Sequence, residues 1–586
     1  SQGHQFKTGS DCEVIVHLYE KYGPDCVKHL RGMFAFALWD SRQRRLMLAR
    51  DRMGEKPLYL YREQGVLYFA SELKAIMAVG GVPLALDPKA VDLFFHYHFV
   101  PEPLSPIQGV RKLPAAHILT VDARSGEQKE WCYWRMEDAP PLSGDPVELI
   151  KCELESISEL IIRSDVPVGV ALSGGLDSSA IAAMTSRKYP GMMQAVTVGY
   201  GGKSQHDERE DAKTLAKFLG MPLHEIELDA GEMASFFPEL TYWLDDPIVD
   251  ISAFGSYSVM KAAKAHGISV MLQGHGGDEL FWGYPWVRQA AAQTCRKLEG
   301  WEAGGPRFRD YLSMTLPSYW NLWGIKEWVK SGAGLRESWA VFNRDRFSPR
   351  EQAVFYDLTP DFRLARESLR GMYSHRFLEE LKESQAYSLF TSPLPWPQVD
   401  VLLTRLICQT YLQGNGIAQG DRLSMASSVE LRLPLVDYRL VETVIGLRKA
   451  NPDHTFPPKL WLREALKSVV PEWVVNRPKR GFTPPLQEWH RALFAAHGDQ
   501  LREGFLVTAG VLRPESGLAL SRGPYPPEAG APLSFKALTL EFWCRGLAQA
   551  SGSSRYESPK ADERPARANT EAFRVSPCSS TQRCPA

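Results

Sequence analysis

Two rhythms of apolar and polar positions divide the chain. From Phe6 to about Trp134, short apolar runs (Met33–Trp39, Arg45–Arg50, Val66–Ala70) alternate with turn-forming clusters such as Asp40-Ser41-Arg42-Gln43 and Met53-Gly54-Glu55-Lys56-Pro57. Short runs at regular spacing predict packed antiparallel sheets. A polar stretch from Glu137 to Asp145, followed by Pro146, reads as a linker. From Val147 the period changes. Leu149–Leu160 has the stripe of an amphipathic helix, Val166–Leu172 is the apolar run of a buried strand, and Ser178–Lys188 is helical. Ala195–Val198, His224–Leu228 and Ser269–Leu272 predict further strands, with helices over Glu208–Leu219 and Ser252–Ala265 between them. Strands alternating with helices imply a parallel sheet with helices on both faces. The predicted class is α/β, with an antiparallel β-rich unit in front.

Trp286 to about Pro397 is Trp- and Arg-rich, mostly helical, and carries no catalytic motif. Leu402 to Trp543 is helical with Pro and Gly interruptions. Beyond Ala550 the text turns to Ser, Pro, Arg, Glu and Ala, a composition that cannot bury enough surface to order itself. The expected organisation is a front unit over 1–136, a linker over 137–146, a large α/β unit over 147–550 and a disordered tail over 551–586.

Composition narrows the function classes. The 68 Lys and Arg against 69 Asp and Glu leave a net charge of −1, which speaks against nucleic acid or an anionic membrane as partner. No apolar run approaches the ~18 residues of a membrane span. The nine cysteines are dispersed with no CxxC pair, as expected of reduced thiols in a cytoplasmic protein rather than a disulfide framework or a zinc site. The chain opens at Ser1, without Met, inside sequence that reads as ordered.

The strongest chemical signal follows the first strand of the α/β unit. Leu172-Ser-Gly-Gly-Leu-Asp-Ser-Ser179 is a strand end, a glycine turn and a helix start. Glycines let several backbone N–H groups face one point, and the helix N-terminus adds its positive end, which together make an anion cradle. Asp177 is a poor neighbour for phosphate unless a divalent cation lies between them, so it predicts Mg²⁺. No Lys follows the glycines, unlike the loop that serves γ-phosphate cleavage. The plain alternative is an ordinary glycine-rich turn. The full string resembles the PP-loop ATP pyrophosphatase group, which splits ATP between its α and β phosphates.

Gln273-Gly-His-Gly-Gly-Asp-Glu-Leu-Phe-Trp-Gly-Tyr284 follows the fourth predicted strand and should open at the same carboxyl edge of the sheet. Asp278 is a second candidate anchor for Mg²⁺, while Glu279 serves equally well as an acidic residue at a helix start. The block Asp421–Asp437 packs Asp421, Arg422, Glu430, Arg432 and Asp437 among small and apolar residues, so several of these charges, Arg432 and Asp437 above all, are expected to be partly buried and paired. Lys459 and the Arg477–Pro484 segment bring basic groups that could neutralise a leaving pyrophosphate, although a lone Lys459 on a helix reads more simply as solvated.

SGGLDSS, GHGGDELFWGY, DRLSMASSVELRLPLVD, KLWLREAL and RPKRGF stand here in one order. Together they resemble the glutamine-dependent asparagine synthetase family, over nearly everything from Phe6 to Trp489. The resemblance implies a Rossmann-like PP-loop synthetase domain behind the end of an Ntn-type class II glutamine amidotransferase domain, in which Asp11 would bind the α-amino group of glutamine. Such domains begin with a nucleophilic Cys that this sequence lacks; Cys12 falls within a predicted helix and is expected to be a buried core thiol. The chain is therefore expected to be a fragment of a glutamine-using enzyme or to use free ammonia. ATP is implied to bind at Leu172, Ser173, Gly174, Gly175, Asp177 and Ser178, with adenine near Val198 and Gly199 and further contacts from Gly277 and Lys459. Asp177 and Asp278 would hold Mg²⁺, Glu430 would act as general base and Lys479 would stabilise charge on the adenylated intermediate. The implied reaction is amidation of aspartate through an acyl-adenylate. The alternatives are a relative acting on another carboxylate (a uronic acid or a peptide side chain) and a non-catalytic nucleotide-binding relic. Partners are small molecules, with a homodimer as one expected assembly.

Overall fold

The computed structural model describes residues 4–79, 81–189, 191–201, 207–312, 333–396, 398–478, 484–523 and 531–550; the predicted tail 551–586 lies outside the described residues. The front unit contains strands β1 (Ala35–Asp40), β2 (Arg45–Arg50), β3 (Tyr59–Glu63), β4 (Val66–Ala70), β5 (Val110–Lys112), β6 (His117–Asp122) and β7 (Gln128–Cys132). They form two antiparallel sheets, of order β1-β2-β6-β7 and β4-β3-β5. The β1–β2 turn shows why polar clusters punctuate the apolar runs. The Asp40 carboxylate accepts the N–H groups of Arg42 and Gln43 at 2.9 Å each, and Arg44 takes φ +53°. Leu48, Leu60, Leu113 and Leu119 meet in the core between the two sheets. β3 escaped the sequence reading because it starts two residues beyond the Pro57 turn and ends in the polar Arg62 and Glu63.

Cys12 corrects an expectation. It is exposed, because the helix Asp11–Tyr22 that carries it buries none of its residues. The segment read as a linker is also more than a tether. Lys449 Nζ donates to the carbonyls of Glu137 (2.6 Å) and Ala139 (2.7 Å), and the Leu142 N–H donates to Gly446 O (2.9 Å).

The α/β unit is built on β8 (Val168–Ala171), β9 (Gln194–Tyr200), β10 (Leu223–Leu228), β11 (Val270–Leu272) and β12 (Glu430–Arg432), in the order β10-β9-β8-β11-β12. Every neighbouring pair is parallel, as the alternating pattern requires. β12 was not foreseen; it is three residues long and arrives far along the chain from within the charged block. Chain order reverses between β8 and β11, so the loops leaving their carboxyl ends flank the crevice where such sheets bind ligands. Among the described residues no helix is long and apolar enough to cross a membrane.

The charged block Asp421–Asp437 lies at the seam between the two units. Lys56 donates to Asp421 (2.5 Å), Arg31 to Asp437 (2.7 Å), and Arg422 to Tyr59 Oη (2.5 Å) and Asp246 (3.2 Å), while Lys112 also meets Asp246 (2.6 Å). Burial alone would raise the Asp246 carboxyl, but Lys112 and Arg422 hold it below its ordinary range. These charges are paired across the seam, as buried charges have to be.

Candidate active site

Beyond β8, Leu172 still reaches the neighbouring strand, its N–H donating to Val196 O at 2.9 Å. The chain then turns through Ser173, Gly174 and Gly175 into the helix Leu176–Ser186, which no side chain caps. Gly174 has φ +71°, and a Cβ there would stand 2.7 Å from Asp211 Cβ, so only glycine lets the turn approach the next helix this closely. Ser173 Oγ accepts the Gly175 N–H (3.3 Å) and lies 3.1 Å from Ser178 Oγ. The helix start thus presents backbone N–H groups and hydroxyls to one side, the arrangement that holds an anion.

The loop after β11 comes up against this turn. A Cβ on Gly277 would lie 2.5 Å from Asp177 Cγ, and one on Gly283 only 1.9 Å from Asp278 Oδ1. Glycine at these positions lets two carboxylates from separate loops share one cation. Lys459 Nζ lies 2.6 Å from Asp177 Oδ2 and 2.6 Å from Asp278 Oδ1. Lys459 is buried; burial opposes its charge, but the two carboxylates outweigh that and raise its pKa above the ordinary value. The solvated-lysine alternative is thereby set aside. Two hard oxygen donors converging on one positive charge are also the donor chemistry of a divalent cation, so Asp177 and Asp278 fit Mg²⁺.

These groups line a cavity of about 540 Å³. On its β9 side Val196, Val198, Ile251 and Val259 supply apolar surface, beside Thr197, Tyr200 and Ser256. Its β11 side carries His275, Glu279, Tyr284, Tyr411 and Asn415. A partly apolar end, an anion cradle and a cluster of polar groups on one crevice suit a nucleotide and a second, polar substrate. Glu279 accepts from Tyr284 Oη (2.8 Å) and from the Gly276 N–H (3.1 Å); burial and this carboxylate push the Tyr284 phenol well up, keeping it a neutral donor. Burial lowers the His275 pKa against the pull of Asp250 and Asp278, so its imidazole is neutral at pH 7. Arg477 also lines the cavity, held by Glu208 (2.9 Å) and Asp211 (2.6 Å).

Of the residues expected from the sequence, Leu172, Ser173, Gly175, Asp177, Ser178, Val198, Asp278 and Lys459 line this cavity together. Gly174 and Gly277 shape the loops from behind. Gly199 is not among the lining residues, although its neighbours Val198 and Tyr200 are; the Arg209 side chain packs against it, and a Cβ would stand 1.9 Å from Arg209 Nε. Glu430 is a correction. It opens β12 opposite Val270, the first residue of β11, which puts it at the amino edge of the sheet while both loops leave the carboxyl edge. There it is 40% exposed and bonded to Arg432 at 2.6 Å. Asp11 is exposed in the first turn of the front helix and is not part of this cavity. Lys479 lies outside the described residues. Sequence reasoning missed His275, Tyr284, Tyr411 and Asn415 as lining groups. The last two ride on a π-helical stretch, Cys408–Ile417, whose one visible signal was the glycine pair Gly414 and Gly416.

A family model for asparagine synthase matches residues 153–545, more than half of the chain. The chain belongs to the asparagine synthase family. A glutamine amidotransferase domain model matches residues 1–134. Asparagine synthetase [glutamine-hydrolyzing] 1 of Bacillus subtilis is 29% identical over 492 residues, covering 83% of this chain and 73% of that protein. A putative asparagine synthetase of Mycobacterium tuberculosis is 29% identical over 498 residues, covering 84% and 72%. Amidase chyE of Penicillium rubens is 28% identical over 520 residues, covering 83% and 74%. At the level of the asparagine synthase family, the chemistry is ATP-dependent amidation by a ligase.

Proposed function

We propose that the protein amidates the side chain of aspartate to give asparagine, using ATP. ATP lies with its phosphates over Ser173, Gly175 and Ser178 and its base among Val196 and Val198. A carboxylate oxygen of the acceptor attacks the α-phosphorus, pyrophosphate leaves, and an acyl-adenylate forms. A nitrogen nucleophile then attacks the acyl carbon and AMP departs with the bonding electrons. Mg²⁺, held by Asp177 and Asp278, would screen the negative charge of the polyphosphate. Lys459 stabilises charge on the same phosphates, and Lys479 does so on the adenylate. His275, a neutral imidazole on the cavity wall, takes the proton released by the attacking nitrogen. Nitrogen comes directly as ammonia for this chain, or from glutamine in a full-length enzyme that carries the nucleophilic Cys.

The observation that carries this reading is the meeting of Asp177, Lys459 and Asp278 beside an anion-cradling turn. A second reading, another carboxylate as acceptor, draws support from the amidase of Penicillium rubens, which is as similar to this chain as the asparagine synthetases are. The test is ATP–pyrophosphate exchange with a panel of carboxylates. Exchange dependent on aspartate supports the first reading; exchange that only a uronic acid or a peptide carboxylate elicits replaces it with the second.

A further inference from the structure

The loop that carries Asp278 contains a backbone anomaly that the reaction above does not use. Trp282 has φ +57°, a left-handed conformation that glycine adopts freely and that a bulky side chain resists. Such a conformation persists only where its surroundings over-determine it, and here they do. The indole is 3% exposed. Its Nε1 donates to Asp453 Oδ1 at 2.8 Å, and the Arg448 guanidinium stacks on the ring at 4.4 Å. Arg448 is itself wholly buried, donating to Asp453 (2.7 Å) and Thr404 Oγ1 (2.6 Å).

The two ends of this assembly lead to the two halves of the phosphate cluster. On one side the Gly283 N–H, next to Trp282, donates to Asp278 O (2.8 Å), and Gly283 is pressed against the Asp278 carboxylate. On the other side Asp453 stands six residues before Lys459 in the same connecting loop. The Lys459 N–H returns to Phe281 O at 2.9 Å, and Lys459 too is left-handed, at φ +56°. The indole therefore fastens the Asp278 loop to the Lys459 loop beside the Lys459–Phe281 backbone bond and the Lys459–Asp278 ion pair.

We propose that Trp282, clamped by Arg448 and Asp453, is a positioning residue that holds Asp278 and Lys459 in register for Mg²⁺-bound nucleotide. The inference rests on the nucleotide reading of the cavity. It goes beyond that reading by assigning the affinity of the site to a buried strut that touches no substrate. A tryptophan in a glycine conformation is tolerated because the clamp it makes is worth more to the site than the relaxed backbone.

The test is equilibrium binding of Mg·ATP to the full chain, by calorimetry, alongside thermal unfolding. Trp282→Phe keeps a smaller ring under Arg448 and removes the N–H bond to Asp453. Trp543→Phe is the control, since it removes a buried indole bond of the same kind, to Asp245 O at 2.8 Å, away from the cavity. Trp282→Phe should weaken Mg·ATP binding about ten-fold or more, as loss of a partner behind a metal ligand does, with the half-saturating Mg²⁺ rising in step. Trp543→Phe should lower the unfolding temperature and leave both constants unchanged. Asp453→Asn, which keeps the shape of the clamp and weakens its charge, should reproduce the loss and serves in place of Trp282→Phe should that variant not fold. Equal Mg·ATP affinity in wild type, Trp282→Phe and Asp453→Asn overturns the positioning role while leaving the nucleotide reading intact. No Mg·ATP binding by the wild type overturns both.

Discussion

A buried charge cluster at the seam between the units and another at the cavity are built for different ends. At the seam between the units, Arg422 and Lys112 share Asp246, Tyr59 completes the set, and the adjoining void is only about 20 Å³. At the cavity, Lys459 is shared by Asp177 and Asp278 on loops that glycine lets converge, beside about 540 Å³ of open space. The charge balance is inverted, two cations on one carboxylate at the seam and one cation between two carboxylates at the cavity. The difference is room for a ligand: the first cluster has only itself to satisfy, and the second, on the proposed reading, exchanges its internal partner for phosphate and metal.

Four variants break or sharpen that contrast. Lys459→Ala should have the largest effect on turnover, a loss of about a hundred- to a thousand-fold in ATP–pyrophosphate exchange, as when a group stabilising transition-state charge is removed. Leaving Asp177 and Asp278 without their buried partner should also lower the unfolding temperature, so exchange is measured on folded protein from the same preparation. His275→Asn should leave exchange intact and slow amide formation about a hundred-fold, the scale of a lost general base. With a lowered imidazole pKa, the wild-type rate of amide formation should hold at pH 7 and fall only below about 6.5, the unperturbed value. The same sign applies to stability. The unfolded chain takes up the proton first as pH falls, so the contribution of His275 is full above about 6.5 and declines below it.

Asp246→Ala addresses the other cluster. Leaving Arg422 and Lys112 buried without their carboxylate should cost about 3–5 kcal/mol in denaturant unfolding. The KM for ATP of the fraction that remains folded should not move. Glu430→Gln should have the smallest effect, with exchange and amide formation both within about two-fold of wild type, because exposed surface substitutions rarely matter. A large loss in that variant would return Glu430 to the reaction and require the amino edge of the sheet to reach the cavity.

The same contrast explains how much was legible in the sequence. The phosphate turn was readable because SGGLDSS needs glycine at Gly174 for its backbone and its approach to the helix Arg209–Leu219. Asp278 was readable for the same kind of reason, in a glycine-bent loop behind a strand. Lys459 was ambiguous because nothing local distinguishes a buried lysine from a solvated one; its partners come from loops about 180 and 280 residues away. Glu430 was misread because a motif fixes neighbours in sequence, whereas the edge of a sheet on which a residue falls depends on strand direction and register. The parallel sheet was read almost whole, since alternating strand and helix periods are local; β12, three residues long, left no such signal.

The central claim is that the cavity splits ATP between its α and β phosphates to activate a carboxylate. Phosphorus NMR of the products from ATP, Mg²⁺, ammonium and the best acceptor of the panel tests it most directly. The account predicts AMP and pyrophosphate in equal amounts, matched by the amide formed. ADP and orthophosphate would contradict it.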